Sequence, residues 1–224
     1  MSLTEEHGVS GLVLACGNAA DSLTGVGPTR TDVKIEKLPA RPGKQDVDPL
    51  LGEAVVVAGT DADLAAVVLR LLRKDLLPAT TVGFVPTDRK SAVAELWGLP
   101  TDPAKALDLA LNGEDRPVPL VRDDVGGVLV GRGVIAPVRG IGYCDDTVAL
   151  RGDARSLEVH AGPAGLVVTV TRGRLRRRRT IYEGRAFQLG CDPVVPVSDG
   201  VPHPRSMERW TWYRHTQDLR LVRP

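Results

Sequence analysis

Three stretches of this chain combine residue types and spacings that could do chemistry. The first is Gly59-Thr60-Asp61-Ala62-Asp63, a sharp break after the apolar run Ala54 to Ala58. The second is Pro86-Thr87-Asp88-Arg89-Lys90-Ser91-Ala92, which follows the strand-like run Thr80 to Val85. Arg89 and Lys90 at a helix start could grip an anion, and the Ser91 hydroxyl could donate to a ligand. Each of these readings has a plainer counterpart: Asp61, Asp63 and Ser91 as helix caps, Arg89 and Lys90 as solvated turn residues. The third stretch is the arginine run Arg172 to Arg179, with Arg174, Arg176, Arg177, Arg178 and Arg179 as its densest part. Such a run suits anionic phospholipid headgroups, at ~1 kcal/mol per residue near a membrane surface. Nucleic-acid phosphate is the weaker reading. The plain counterpart is a β-hairpin around Gly173 whose arginines pair with acids of neighbouring strands, or guard a sheet edge.

The elements that must position these residues follow from periodicity. Ala54 to Ala58 reads as a buried strand, and Leu64, Val67, Val68, Leu71 and Leu72 then recur at helical spacing. Asp61 or Asp63 is expected to cap that helix near Leu64, with Arg70, Arg73 and Lys74 at its far end. A second helix spans roughly Ser91 to Trp97, and a third begins at Asp102-Pro103 and stops at Asn112-Gly113. Upstream, Gly11 to Ala15 reads as a first strand and Asp32 to Leu38 as a second with one wet face. No helix is evident between those two, an oddity for a parallel pair. Pro39 to Pro49, rich in proline and charge, reads as a surface connection.

From about Pro117 short β-rich runs take over, from Val128-Leu129-Val130 to Leu219–Val222, with turn residues between them. Asp199-Gly200 falls among them as a common turn dipeptide. Trp210 and Trp212 alternate onto one strand face, as packing residues. The fold class expected is an α/β N-terminal domain with a mostly parallel sheet, residues 1–120, plus an all-β, sandwich-like domain, residues 121–224.

Composition narrows the function classes. The formal charge of +1 over 224 residues excludes a globally cationic nucleic-acid binder. Cys16, Cys144 and Cys191 form no C-x-x-C pair, which favours free thiols in a reducing compartment. His7, His160, His203 and His215 lack ligand spacing, so no metal site is assigned. Leu12 to Cys16 is loosely like a lipoprotein cleavage site, but it is short and preceded by Glu5 and Glu6. Nothing approaches the ~20 apolar residues of a membrane span. The expectation is a cytoplasmic protein.

Residues 54–120 closely resemble the bacterial diacylglycerol kinase and lipid kinase family, whose fold is shared with the NAD kinases. The family's Gly-Gly-Asp-Gly-Thr turn is matched by Gly59-Thr60-Asp61-Ala62-Asp63, between Val57-Ala58 and Leu64. Its Pro-x-Gly-Thr-x-Asn-Asp-Phe-Ala signature and Leu-Gly-x-Pro become Pro86 to Ala94 and Trp97-Gly98-Leu99-Pro100. Asp199-Gly200 and the terminal Leu219 to Pro224 resemble that family's Asp-Gly-Glu turn and last strand, which returns toward the first domain.

The resemblance implies an ATP- and magnesium-dependent lipid kinase with Gly59, Thr60, Asp61, Arg89 and Ser91 around the nucleotide. It makes Asp199 the surviving catalytic candidate. The functional letters, however, have changed. A glycine-rich turn binds phosphate because its N–H groups point inward and no side chain blocks the approach. Here two of the glycines are Thr60 and Ala62, the hydroxyl residue is Asp63, and the family's glutamate base is Val201. A carboxylate beside a triphosphate repels it by ~1–4 kcal/mol at 4 Å. The expectation is a degenerate, catalytically impaired member, a binding module for lipid, nucleotide or a partner. The rival is an active kinase using Asp61, Asp88 and Asp199 around a metal. Peripheral placement on an anionic membrane and a homodimer through a β edge complete the expected partners, with nucleic acid least favoured.

Overall fold

Alternate residues of the first strands go to opposite sides of one sheet, and helices cover both sides. In the computed structural model, which describes residues 11–23, 33–173 and 177–224, this sheet contains β1 (Leu12–Cys16), β2 (Lys34–Leu38), β3 (Ala54–Gly59), β4 (Thr81–Pro86) and β5 (Asp115–Val118). It also contains the last strand of the chain, Leu219–Val222, and its order is β2-β1-β3-β4-last-β5. All neighbours run parallel except the last strand against β5. Val55 and Val57 pack with Leu64, Val67, Val68 and Leu71 of helix α3 (Asp61–Arg73) on one side. Val56 and Ala58 pack with Ala106, Leu107 and Ala110 of α5 (Pro103–Asn112) on the other. Burial on both faces explains the continuous Val-rich strand sequences.

Two connections differ from the sequence reading. The β1–β2 pair is parallel, and the described part of its crossover contains a short helix, α1 (Ala19–Ser22), too brief to leave a periodic pattern. The stretch read as a plain surface connection contains α2 (Lys44–Val47) and a 3₁₀ turn, Asp48–Leu50. Val47 is fully buried there, and Asp48 makes a bidentate bond to Arg70 of α3, at 2.7 and 2.9 Å. Those anchors are tertiary, so no local periodicity announces them. Helix α4 (Ala92–Trp97) ends at Gly98, whose φ of 68° is the left-handed C-cap that glycine accommodates.

After β5 the chain enters two antiparallel sheets. Their strands are β6 (Val121–Asp123), β7 (Val128–Leu129), β8 (Arg132–Ile135), β9 (Val138–Cys144), β10 (Thr147–Ala154) and β11 (Ser156–Gly162). They continue with β12 (Gly165–Arg172), β13 (Arg178–Gly184), β14 (Ala186–Val194), β15 (Val197–Ser198), β16 (Val201–Pro202) and β17 (Met207–Arg214); the last strand, Leu219–Val222, is β18. One sheet has the order β10-β9-β14-β17-β6-β7, the other β13-β12-β11-β8-β15-β16. Trp210 and Trp212 turn inward together and fill a core with Phe187, Leu150 and Leu157. β9, with Gly140 and Gly142 in Val-Arg-Gly-Ile-Gly-Tyr-Cys, was not legible as a strand because glycine dilutes β-propensity. The return of β18 into the first sheet matches the expectation from the resemblance. It is secured by Arg220, which makes a bidentate bond to Asp115 of β5 at 2.8 and 3.0 Å.

Candidate functional site

The carboxyl ends of β1, β3 and β4 open onto a cleft of about 730 Å³ whose opposite wall comes from β8, β15 and the Asp199 turn. Ligands of open α/β sheets bind at that end of the strands. Both turns singled out in the sequence border it, and so does Asp199. The juxtaposition is tertiary: 138 positions separate Asp61 from Asp199.

The first turn is organised by Asp63. Helix α3 begins at Asp61, and its cap is Thr60, so the expectation that Asp61 or Asp63 caps a helix starting near Leu64 is corrected. Thr60 Oγ1 accepts the Asp63 N–H at 3.3 Å, and the Asp63 carboxylate accepts the Thr60 N–H at 2.8 Å, a reciprocal capping box. The same carboxylate accepts the Thr60 hydroxyl at 2.7 Å and the Arg41 N–H at 2.6 Å. Arg41 presents that N–H from a left-handed backbone, φ 51°. Asp63 is 3% exposed. Gly59 serves this arrangement: a Cβ there would meet Asp63 Oδ2 at 2.7 Å. Its role is to seat the aspartate.

The second turn is tied to the first. Asp61 Oδ1 accepts the Ser91 hydroxyl at 2.5 Å, and Oδ2 accepts the Ala92 N–H at 2.7 Å. Ser91 in turn caps α4 by accepting the Ala94 N–H at 3.0 Å. Asp61 therefore satisfies the neighbouring helix rather than its own. Of the two cations expected to grip an anion, Lys90 borders the cleft, whereas Arg89 lines a separate 310 Å³ depression beside Asp102 and Pro103. The two depressions adjoin, sharing Ala19, Ser22 and Thr87 in their walls.

Asp199 closes the far wall. It occupies a left-handed turn, φ 50°, and accepts three backbone N–H groups, from Val130 at 3.0 Å, Gly131 at 2.8 Å and Arg132 at 3.0 Å. Burial, opposed by those bonds and reinforced by the charge of Asp61, pushes its carboxyl up to about 7. Gly131 lies between the two acids, since a Cβ there would meet Asp199 Oδ1 at 2.9 Å and Asp61 Oδ2 at 3.1 Å. Val201 also lines the cleft and carries nothing that titrates. Cys16 lines it as well, but burial and then the Asp63 charge push its thiol up to about 12, so it remains protonated and unreactive.

The remaining candidates lie elsewhere. Arg174 and Arg176 fall outside the described residues. Arg177, Arg178 and Arg179 are exposed at the β12–β13 hairpin, on the sheet edge three strands from β8. Of the two forms of the plain reading, pairing with acids of neighbouring strands is not seen, since none of the three has an ion-pair partner among the described residues, while the position on a sheet edge is. Residues that sequence reasoning missed are Arg41, Arg132 and Gly131. Arg132 lines the cleft and reaches Glu95 at 2.9 Å, in an exposed pair. Arg41 and Gly131 contribute through backbone atoms, which leave no mark on a single sequence. Among the described residues no group of three or more His, Cys, Asp or Glu is arranged to hold a metal, and no helix is long and apolar enough to cross a membrane.

A doubly covered parallel sheet, a returning terminal strand and a β-rich second half define the NAD-kinase-like fold. The structure superposes on a diacylglycerol kinase from Bacillus anthracis str. Sterne with a TM-score of 0.71 and 12% identity, covering 96% of this chain and 97% of that one. An NAD kinase from Archaeoglobus fulgidus in complex with ATP aligns with a TM-score of 0.58 and 12% identity, over 95% of this chain and 92% of the other. A yeast NADH kinase complexed with NADH aligns at 0.59 and 10%, over 96% and 83%. No family model matches the chain, and no curated protein matches it by sequence. At these identities the likeness establishes the fold, that of diacylglycerol-kinase-like proteins and NAD kinases.

Proposed function

We propose that this chain is a lipid-kinase-like protein that retains the interdomain cleft as a binding site and does not transfer phosphate. One observation carries the reading. The backbone N–H groups of Thr60 at the first turn and of Ala92 at the second donate to the protein's own Asp63 and Asp61, and Asp63 also takes the Arg41 N–H from the loop after β2. In a phosphate-binding turn those donors face the ligand. Here a phosphate would have to displace internal carboxylates that already hold good geometry, against a repulsion of ~1–4 kcal/mol per nearby acid. Val201, opposite, offers no base to a lipid hydroxyl. Phosphoryl transfer needs positioned phosphates and an oriented nucleophile as well as a metal, and the first two meet an obstacle in this cleft.

The ligand this reading favours is one without clustered phosphates, such as the neutral headgroup of a diacylglycerol-type lipid. Arg177 to Arg179, exposed and without an ion-pair partner among the described residues, support a companion role for the hairpin in contact with an anionic membrane. The test is direct. Purified protein is incubated with labelled ATP, magnesium and diacylglycerol in mixed micelles, and its melting temperature is followed with the nucleotide alone. No label in the lipid and no thermal shift at millimolar ATP are expected. Labelled phosphatidic acid would overturn the proposal and favour the rival, a kinase built on Asp61, Asp88 and Asp199.

A further inference from the structure

Strand β13 forms one free edge of its sheet. Along it Arg179, Ile181 and Glu183 are exposed, whereas Thr180 and Tyr182 between them are half-buried, so the first three share the outer face. Ile181 is 63% exposed, more than any other large apolar side chain among the described residues. Arg179 and Glu183 have no ion-pair partner among the described residues. On other edge strands some charges are paired within the chain, Lys34 with Glu36 on β2, Asp153 of β10 with Arg139 and Asp115 of β5 with Arg220, while Lys37, Arg151 and Arg116 have no ion-pair partner among the described residues. An exposed edge strand is a template for pairing, and natural proteins cover or blunt it.

The sequence of β13 is self-complementary under a two-fold axis. If two copies pair antiparallel with Ile181 facing Ile181, the register places Arg179 opposite Glu183 of the second copy, and Glu183 opposite its Arg179. Thr180 then faces Tyr182. Both charge pairs and the apolar pair fall on the same face, in the directly opposed positions where cross-strand side chains interact. A register shifted by two residues centres the axis on Thr180 or Tyr182 and sets Ile181 against Arg179 or Glu183, and one shifted by four centres it on Arg179 or Glu183 and brings like charges together. Isologous contacts of this kind are the commonest route to a homodimer.

We infer that β13 is the interface through which two copies of this chain associate, joining two six-stranded sheets into one continuous sheet across the dimer. The Arg179–Glu183 pair sets its register.

Sedimentation equilibrium on the full chain tests this at moderate salt. The wild type is expected at twice the 23.9 kDa chain mass. Glu183→Arg, which opposes arginine to arginine at both ends of the interface, should weaken association at least tenfold. The double variant Arg179→Glu/Glu183→Arg, which exchanges the two charges, should restore it. Both residues concerned are exposed, so circular dichroism and melting temperature should be the same for each protein. A wild type that sediments as a monomer, a Glu183→Arg variant that dimerises as tightly as wild type, or a double variant that stays monomeric would each overturn the inference.

Discussion

Asp199 gives the cleft a pH signature that can be worked out in advance. Its carboxyl, ordinarily near 3.8, is raised to about 7 in the fold, chiefly by burial. The sign follows from proton counting: between those values the native state holds a proton that the unfolded chain has released. Stability therefore falls as pH rises through that window. At about 1.4 kcal/mol per unit, the full contribution is ~4 kcal/mol, lost between pH 4 and pH 7 and constant above. Asp48 and Asp115 act in the opposite sense, because Arg70 and Arg220 hold their carboxyls below the usual range. Their contributions are present above the ordinary carboxylate value and disappear only as pH falls below it, so the two effects occupy separate windows. Urea denaturation at pH 5 and pH 8 should show the wild type less stable at the higher pH. Asp199→Asn removes the titration and should flatten the profile. It should also cost ~1–3 kcal/mol at pH 5, because an amide oxygen with one NH₂ cannot satisfy three backbone donors. A wild type more stable at pH 8, or an Asn variant with an unchanged slope, would refute the assignment.

Two further outcomes follow from the same geometry. Gly59→Ala should destabilise the fold by ~1–3 kcal/mol, because the new methyl meets Asp63 Oδ2. In an Asp63→Ala background the same change should cost at least ~0.5 kcal/mol less, so a double-mutant cycle by urea denaturation should show coupling; additive effects would refute the seating role of Gly59. At the hairpin, Arg177→Glu/Arg178→Glu should reduce sedimentation with phosphatidylserine vesicles severalfold and leave the melting temperature unchanged; undiminished sedimentation would remove the membrane contact.

The α/β grammar of residues 54–112 was legible because each element leaves a local trace: Val-rich buried runs, a 3.6-residue stripe, and caps at Ser91 and Asp102 that the structure shows accepting N–H bonds from Ala94 and Lys105. Elements whose support is tertiary were not. The α2 segment depends on Arg70 reaching Asp48, 22 positions away, and β9 on its neighbours rather than its own propensity. The site divides in the same way. Residue types placed Asp61, Ser91 and Asp199 near a ligand end, yet they could not reveal that Asp61 satisfies α4 or that Arg89 turns to another depression.

On the proposed reading, those partnerships let the skeleton stand without a bound phosphate. A turn at a strand end presents backbone donors that need acceptors whenever they are shielded from water. A phosphate can meet that need only while bound, whereas an aspartate in the turn meets it permanently. Asp63 accepts one such donor at the first turn, from Thr60, and another from Arg41 in the loop after β2, and Asp61 accepts one at the second together with the Ser91 hydroxyl. On this view Gly59 and the turn geometry persist because the carboxylate packs against them, so the motif's outline survives for reasons of stability after its ligand has changed. The coupling measured between Gly59 and Asp63 reports how far the glycine and the carboxylate depend on each other for stability.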